Sequence, residues 1–188
     1  MTTSFLILHG IENHRPPEHW QFLLAAQLVE RGHQVRYPAL PEADAPELEQ
    51  WLSTLREELA ALTGEQLVVV CHSLACLLWF RAAERGLEGP VDRLLLVSPP
   101  ASERVPDSGA SLRLDSIDAA AVRASVVGEI AIACSDDDPY NPVGAQSLYG
   151  DPLGLTATIV AGAGHITPDA GYGPWPFATE WCLDGRAT

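Results

Sequence analysis

The sequence predicts an α/β fold, a mainly parallel sheet of about six strands with helices on both faces, as one domain over residues 1–188. Three observations support this. Short apolar runs alternate throughout with segments of helical period, the pattern of parallel strands joined by crossover helices. One run, Leu67-Val68-Val69-Val70-Cys71-His72, ends in a serine set between small residues and continues as helix. No internal repeat, linker or low-complexity tract divides the chain, and 188 residues suffice for one substantial core.

The elements follow in order. A first strand is expected at 4–8, through Phe5-Leu6-Ile7-Leu8, and a first helix at about 18–31, marked by Trp20, Leu23, Leu24 and Leu28 with Gly32 behind them. A second strand at 34–37 leads to the clearest helix, 46–62. There Leu48, Trp51, Leu52, Leu55, Leu59 and Leu62 recur at three- and four-residue spacing after Pro46, and Gly64 closes the helix. The strand at 67–71 is followed by a helix from Leu74 to about Arg85, ended by Gly86. The strand at 93–98 opens onto the one long irregular stretch, Pro99 to Leu114, rich in Pro, Ser and Gly. A helix near 116–126, a strand at 129–134, a helix near 142–149, a last strand at 155–160 and a helix near 175–183 complete the order.

Composition narrows the chemistry. A net charge of −14 disfavours nucleic acid and anionic membrane as partners. All eleven basic residues are Arg, and without Lys there is no Schiff-base lysine, no pyridoxal-phosphate lysine and no Walker-type phosphate loop. Cys71, Cys76, Cys134 and Cys182 lie in apolar contexts without C-x-x-C spacing, as reduced, buried thiols do. His9, His14 and His19 recur every five residues, which places them on no common helix face, and no H-E-x-x-H accompanies them. The expectation is therefore no metal and no cofactor. Met1-Thr2-Thr3-Ser4 leads into the first strand without a basic region, and no apolar run approaches the roughly 18 residues of a membrane span, so a cytoplasmic location is expected.

The serine carries the chemistry. A strand feeding a sharp turn projects Ser73 Oγ above the sheet edge, and the following helix offers N-terminal amides to a developing oxyanion. Cys71 and Ala75 stand where the G-x-S-x-G elbow has glycines, and both are small. Two later strands run into polar loops, one at Asp136-Asp137-Asp138-Pro139-Tyr140-Asn141-Pro142 and the last at Gly162-Ala163-Gly164-His165. The chain order Ser, Asp, His is that of the α/β hydrolases and differs from the chymotrypsin and subtilisin orders. Ser73 is thus the expected nucleophile, His165 the base and Asp138 the acid that orients it. Asp136 and Asp137 are rivals for that last role, but the D-x-x-x-P spacing favours Asp138. The oxyanion amides are expected from Leu74 and from Ile11, after His9-Gly10. His72 is expected to pack behind the turn. Trp20, Tyr140, Ile166 and Trp175 are candidates to line an apolar pocket.

With these residues placed, the chain resembles the small serine hydrolases related to retinoblastoma-binding protein nine and YdeN, a compact, lidless branch of the α/β-hydrolase fold. The likeness covers nearly the whole chain. It rests on Leu8-His9-Gly10 with Glu18-His19-Trp20, on His72-Ser73-Leu74-Ala75-Cys76-Leu77, on Leu94-Leu95-Leu96-Val97-Ser98-Pro99-Pro100, on Asp138-Pro139-Tyr140, and on Gly164-His165-Ile166 followed by Gly171-Tyr172-Gly173-Pro174-Trp175-Pro176. The resemblance implies a cofactor-free serine hydrolase with Ser73, Asp138 and His165 as triad, acting on a small ester or related acyl compound. A second reading is a catalytically weak member acting as a protein-binding module, its partner unidentified. Such proteins more often carry glycine at the position of Ala75, and a glycine- or serine-rich segment in place of Ile11-Glu12-Asn13-His14-Arg15.

Overall fold

The computed structural model describes residues 2–184. Its centre is one six-stranded sheet built from β1 (Thr3–Leu8), β2 (Gln34–Arg36), β3 (Gln66–His72), β4 (Arg93–Val97), β5 (Ile130–Ser135) and β6 (Thr158–Val160). The order is β2-β1-β3-β4-β5-β6 and every pairing is parallel. The long helices are α1 (Trp20–Glu30), α2 (Leu48–Ala60) and α3 (Leu74–Glu84); α4 (Ala119–Ala124), α5 (Asp151–Leu153) and α6 (Pro176–Asp184) are shorter.

Strand alternation divides the core in two. In β3, Val68 and Val70 join Phe5, Ile7, Trp20, Leu24, Leu28 and Trp181 on the face covered by α1 and α6. Val69 and Cys71 join Leu6, Leu8, Trp51, Leu55 and the apolar side of α3 on the other. Both faces are dry, as a wholly parallel sheet requires. From β1 the chain passes out to β2, then returns to β3 on the far side of β1. The loops after β1 and β3 consequently leave toward opposite faces, which opens a crevice at their carboxyl ends.

The expected strands and helices are all present, with two shifts. The helix expected near 142–149 forms later, as a wide turn over Gln146–Gly150 that runs into α5. Gly144, at φ 95°, closes the preceding turn by donating its N–H to Asn141, so the chain becomes helical only beyond it. The last strand begins at Thr158 rather than 155. The Leu155 N–H donates to the Gly150 carbonyl and the Ala157 N–H to Gln146 Oε1, which commits both donors away from the ladder. The stretch from Pro99 to Leu114 folds into two 3-10 turns, Ser102–Arg104 and Asp107–Leu112. The four cysteines are free and buried. No helix among the described residues is long and apolar enough to cross a membrane.

Helix α3 begins at the residue after Ser73 and is buried on nearly every side. Trp79 anchors it, fully enclosed and donating its Nε1–H to Ser125 Oγ at 3.1 Å. Trp79→Ala should destabilise the fold by about 3–5 kcal/mol, read as a lowered denaturant midpoint in equilibrium unfolding. A loss below about 1 kcal/mol would mean that α3 is held from elsewhere.

Candidate active site

Between β3 and α3 the backbone of Ser73 takes φ 57° and ψ −126°, a conformation L-residues rarely adopt. It is fixed by its surroundings: the Ser73 N–H donates to the Val97 carbonyl at 2.9 Å, and Cys71, His72, Leu74 and Ala75 are all buried. The two small residues that replace the elbow glycines thus sit in close-packed positions. Gly10, after β1, completes the turn from the other side of the crevice. A Cβ there would lie 2.7 Å from Ser73 Cβ and 3.0 Å from its Oγ, so only glycine lets this backbone pass the serine.

Three side chains from three strand ends form one chain of hydrogen bonds. Ser73 Oγ is 2.7 Å from His165 Nε2. His165 Nδ1 is 3.0 and 2.9 Å from the two carboxylate oxygens of Asp138. Asp138 is buried, and its Oδ1 also accepts the Tyr140 N–H at 2.9 Å, which holds the carboxylate toward the ring. Its neighbours stand elsewhere. Asp136 accepts the Gly162 N–H and Asp137 the Gly164 N–H, at 2.8 and 2.7 Å, and Ser135 Oγ accepts the Ala163 N–H while donating to Asp137. The hydrogen bond from Ser135, and then that from Gly164, hold the Asp137 carboxyl below its ordinary pKa. The three aspartates therefore divide two tasks: Asp138 meets the imidazole, and the other two tie down the loop that carries it.

The Leu74 N–H stands at the start of α3, where no intrahelical acceptor exists, and neither it nor the Ile11 N–H has a backbone acceptor among the described residues. The Glu12 N–H turns away, to the Ala43 carbonyl at 2.8 Å. His9 governs the Ile11 amide. Its buried ring donates from Nδ1 to the Gly10 carbonyl at 2.8 Å and accepts the Leu40 N–H at Nε2 at 2.9 Å. Because C=O and N–H point oppositely across a trans peptide, tying the Gly10 carbonyl to His9 turns the Ile11 N–H to the other side.

These residues face an open cleft of about 800 Å³, within the range of small-molecule sites. The Pro99–Leu114 stretch forms one wall through Pro100, Arg104, Val105 and Pro106, while Glu12 and Asp169 set acidic charge at the rim. Of the four candidate pocket residues only Tyr140 lines the cleft, its ring centroid 4.6 Å from that of His165. The reading of Trp20, Ile166 and Trp175 as pocket residues is corrected. Trp20 and Ile166 are enclosed in the core, where the Trp20 Nε1–H donates to the Ile166 carbonyl at 2.9 Å, and Trp175 packs edge-on against Trp20. The segment 171–176 thus lies outside the cleft, whereas Thr167, Pro168, Asp169 and Ala170 line it. His14, on the surface, meets Asp44, and among the described residues no group of three or more His, Cys, Asp or Glu could hold a metal ion.

The serine hydrolase family model matches residues 5–182, and the chain belongs to that family. Among solved structures it is similar to the ydeN gene product of B. subtilis, with 25% identity and a TM-score of 0.81 over 95% of this chain and 96% of that one. A protein of Pectobacterium atrosepticum described as YdeN-like matches at 21% identity and TM-score 0.76, over 96% of this chain and 89% of that one. The esterase domain of a Rhodothermus marinus protein shares the fold at 13% identity and TM-score 0.62, covering 95% and 82% of the two chains. A comparison with curated proteins found no match. The expected kinship with YdeN therefore holds.

Sequence reasoning set His9 aside as no metal ligand and His72 as a packing residue, and missed what they hold. The adjacency of His9 to Gly10 and of His72 to Ser73 was the available signal. Both rings, with His19, are buried and uncharged. Burial, then for His19 the nearby His9, lowers His9 and His19 from 6.5 to about 4, and burial holds His72 well below 6.5 as well. A histidine with a depressed folded pKa supports the fold fully above its unfolded value and withdraws that support as pH falls toward the folded one. On unfolding at pH 5.5 these three residues should together bind between about two and three protons, measured by calorimetry in buffers of different ionisation enthalpy. Uptake near zero would mean that the rings are charged in the folded protein.

Proposed function

We propose that the protein cleaves small esters or related acyl compounds through a Ser73-His165-Asp138 triad and an acyl-enzyme. The observation that carries this reading is the unbroken hydrogen-bonded chain from Ser73 Oγ through His165 to Asp138 at an elbow facing an open cleft. In this mechanism Ser73 Oγ attacks the substrate carbonyl carbon as its proton passes to His165 Nε2, while Asp138 holds the Nδ1–H and stabilises the imidazolium. The carbonyl oxygen, now an anion, is met by the Leu74 and Ile11 N–H groups. Collapse expels the alcohol, protonated from His165 Nε2, and water repeats the sequence to release the acid. No step calls on a metal or cofactor.

Labelling by a fluorophosphonate probe tests the reading directly. The wild-type protein should be labelled and should hydrolyse p-nitrophenyl acetate; Ser73→Ala should lose both while remaining folded by circular dichroism. Asp138→Asn should lower kcat by about 10⁴-fold, because an amide favours the wrong imidazole tautomer. Full activity in Ser73→Ala would rule out the serine mechanism.

Cleft shape sets an acyl-length limit. A wall built from two short turns shades the site but does not enclose a long chain, so added methylenes soon cease to be buried. From acetyl to butyryl p-nitrophenyl esters kcat/KM should hold level or rise, by at most roughly fourfold per fully buried methylene, and decanoyl esters should lose the gain. The series is measured below micelle formation. Continued improvement to long chains would contradict an open cleft.

A further inference from the structure

The loop that presents His165 should be loose by its sequence. Gly162 and Gly164 both have positive φ, and Ile166, a β-branched residue, is held at φ 52° where such side chains are strained. Its acid side is fastened by Ser135, Asp136 and Asp137. On the nucleophile side the carbonyl of His165 itself faces His72 Nε2 at 3.0 Å. A carbonyl only accepts, so Nε2 carries the His72 proton and Nδ1 is left with a lone pair. That Nδ1 is buried and has no partner. Beside it, at 5.4 Å between ring centroids, lies His19. His19 caps α1 by accepting the Gln21 N–H at Nδ1, which in a neutral ring puts its proton on Nε2. That Nε2 is likewise buried and unpartnered. Two adjacent rings thus carry complementary orphans, an N–H on one and a lone pair on the other.

Resting on the serine-hydrolase reading, we propose that His72 is a positioning residue for the catalytic base, tethering the His165 backbone to the strand end that carries Ser73, and that His19 fixes the His72 tautomer through one bridging water between the two unpartnered nitrogens. His72 touches no reacting atom. It acts because Ser73 and His165 are 92 positions apart in sequence, yet the His165 carbonyl is bonded to the residue adjacent to Ser73. A movement of β3 then carries nucleophile and base together and preserves the 2.7 Å contact between them. Misplacement of reacting groups by about 1 Å can cost on the order of 10²-fold in rate. The same two rings stay neutral, burial being the main cause. Because the rings of His72 and His165 lie 5.1 Å apart, an uncharged His72 leaves the positive charge that catalysis places on His165 unopposed.

The test separates this role from packing. His72→Phe keeps an aromatic ring without a donor, whereas His72→Gln returns an N–H to the place of Nε2. For p-nitrophenyl acetate, His72→Phe should lower kcat about 10- to 100-fold with KM within about twofold, as expected for a misplaced base, and His72→Gln should recover most of the loss. Equal impairment in the two variants, or wild-type kcat in a folded His72→Phe, would overturn the proposal. Nitrogen-15 NMR of histidine-labelled wild-type protein decides the point without any variant. His72 should be neutral with its proton on Nε2, and a proton found on Nδ1 would overturn the tether even in an active enzyme. His19→Asn keeps an acceptor for the Gln21 N–H but removes the Nε2 donor, and it should shift the His72 Nδ1 resonance; an unmoved resonance would remove His19 from the arrangement. Failure of fluorophosphonate to label the wild-type protein would instead strike the hydrolase reading itself, with the tautomer measurement still standing.

Discussion

The site depends on one backbone conformation, the left-handed turn at Ser73. A non-glycine residue in such a conformation costs about 1–3 kcal/mol and persists only where its surroundings over-determine it. Here they do. β3 lies inside the sheet, paired with β1 and β4, and α3 is buried almost completely, so the chain has no room to relax at the residue between them. Ser73 Oγ meets the His165 ring, while the neighbouring His72 ring bonds the carbonyl of the same loop. The turn also brings the serine against Gly10, which explains why the loop after β1 carries, at its second position, the one residue that has no side chain.

Around that turn the remaining groups are held mostly through main-chain atoms. His9 grips the Gly10 carbonyl, His72 the His165 carbonyl, Trp20 the Ile166 carbonyl, and Asp136 and Asp137 the N–H groups of two glycines. A glycine-rich loop can approach a strand end closely because nothing projects from it, and the same property leaves it without side chains to anchor. Buried neutral rings and carboxylates from neighbouring elements supply the anchors instead. Burial keeps the imidazoles uncharged, and an uncharged imidazole offers one donor and one acceptor, which is what His9 uses at its two ends.

Periodicity made the fold legible. The three- and four-residue spacing of Leu48, Trp51, Leu52 and Leu55 marked α2 because that side of the helix is buried, and the apolar runs of β1, β3 and β4 stood out because both faces of those strands are covered. Boundaries set by single hydrogen bonds were not visible in this way, as at Leu155 and Ala157, whose N–H groups bond to residues with no signature in sequence. For the site, chain order and turn spacing singled out Ser73, Asp138 and His165, and the structure brings these three into contact. Pocket lining was poorly legible. Trp20 and Trp175 are aromatic and near the relevant loops in sequence, but whether such a ring faces a cleft or a core depends on which side of the loop the last helix covers, a tertiary fact. Asp136 and Asp137 were passed over for a related reason, since a carboxylate that accepts a main-chain N–H from a distant loop looks the same in sequence as a solvated one.

The bond from the Trp20 indole to the Ile166 carbonyl spans 146 positions, most of the described chain. Contacts of such separation form late, because the intervening loop must be closed before they bring any gain. The first helix therefore emerges from the ribosome long before the segment it must hold, and no shorter nascent chain contains both halves of the arrangement. Assembly of the serine, the imidazole and the carboxylate requires the loop of His165 to reach strand ends laid down far earlier in the chain. Incomplete products of translation carry the elbow without the base loop, and hence a serine with no partner to activate it.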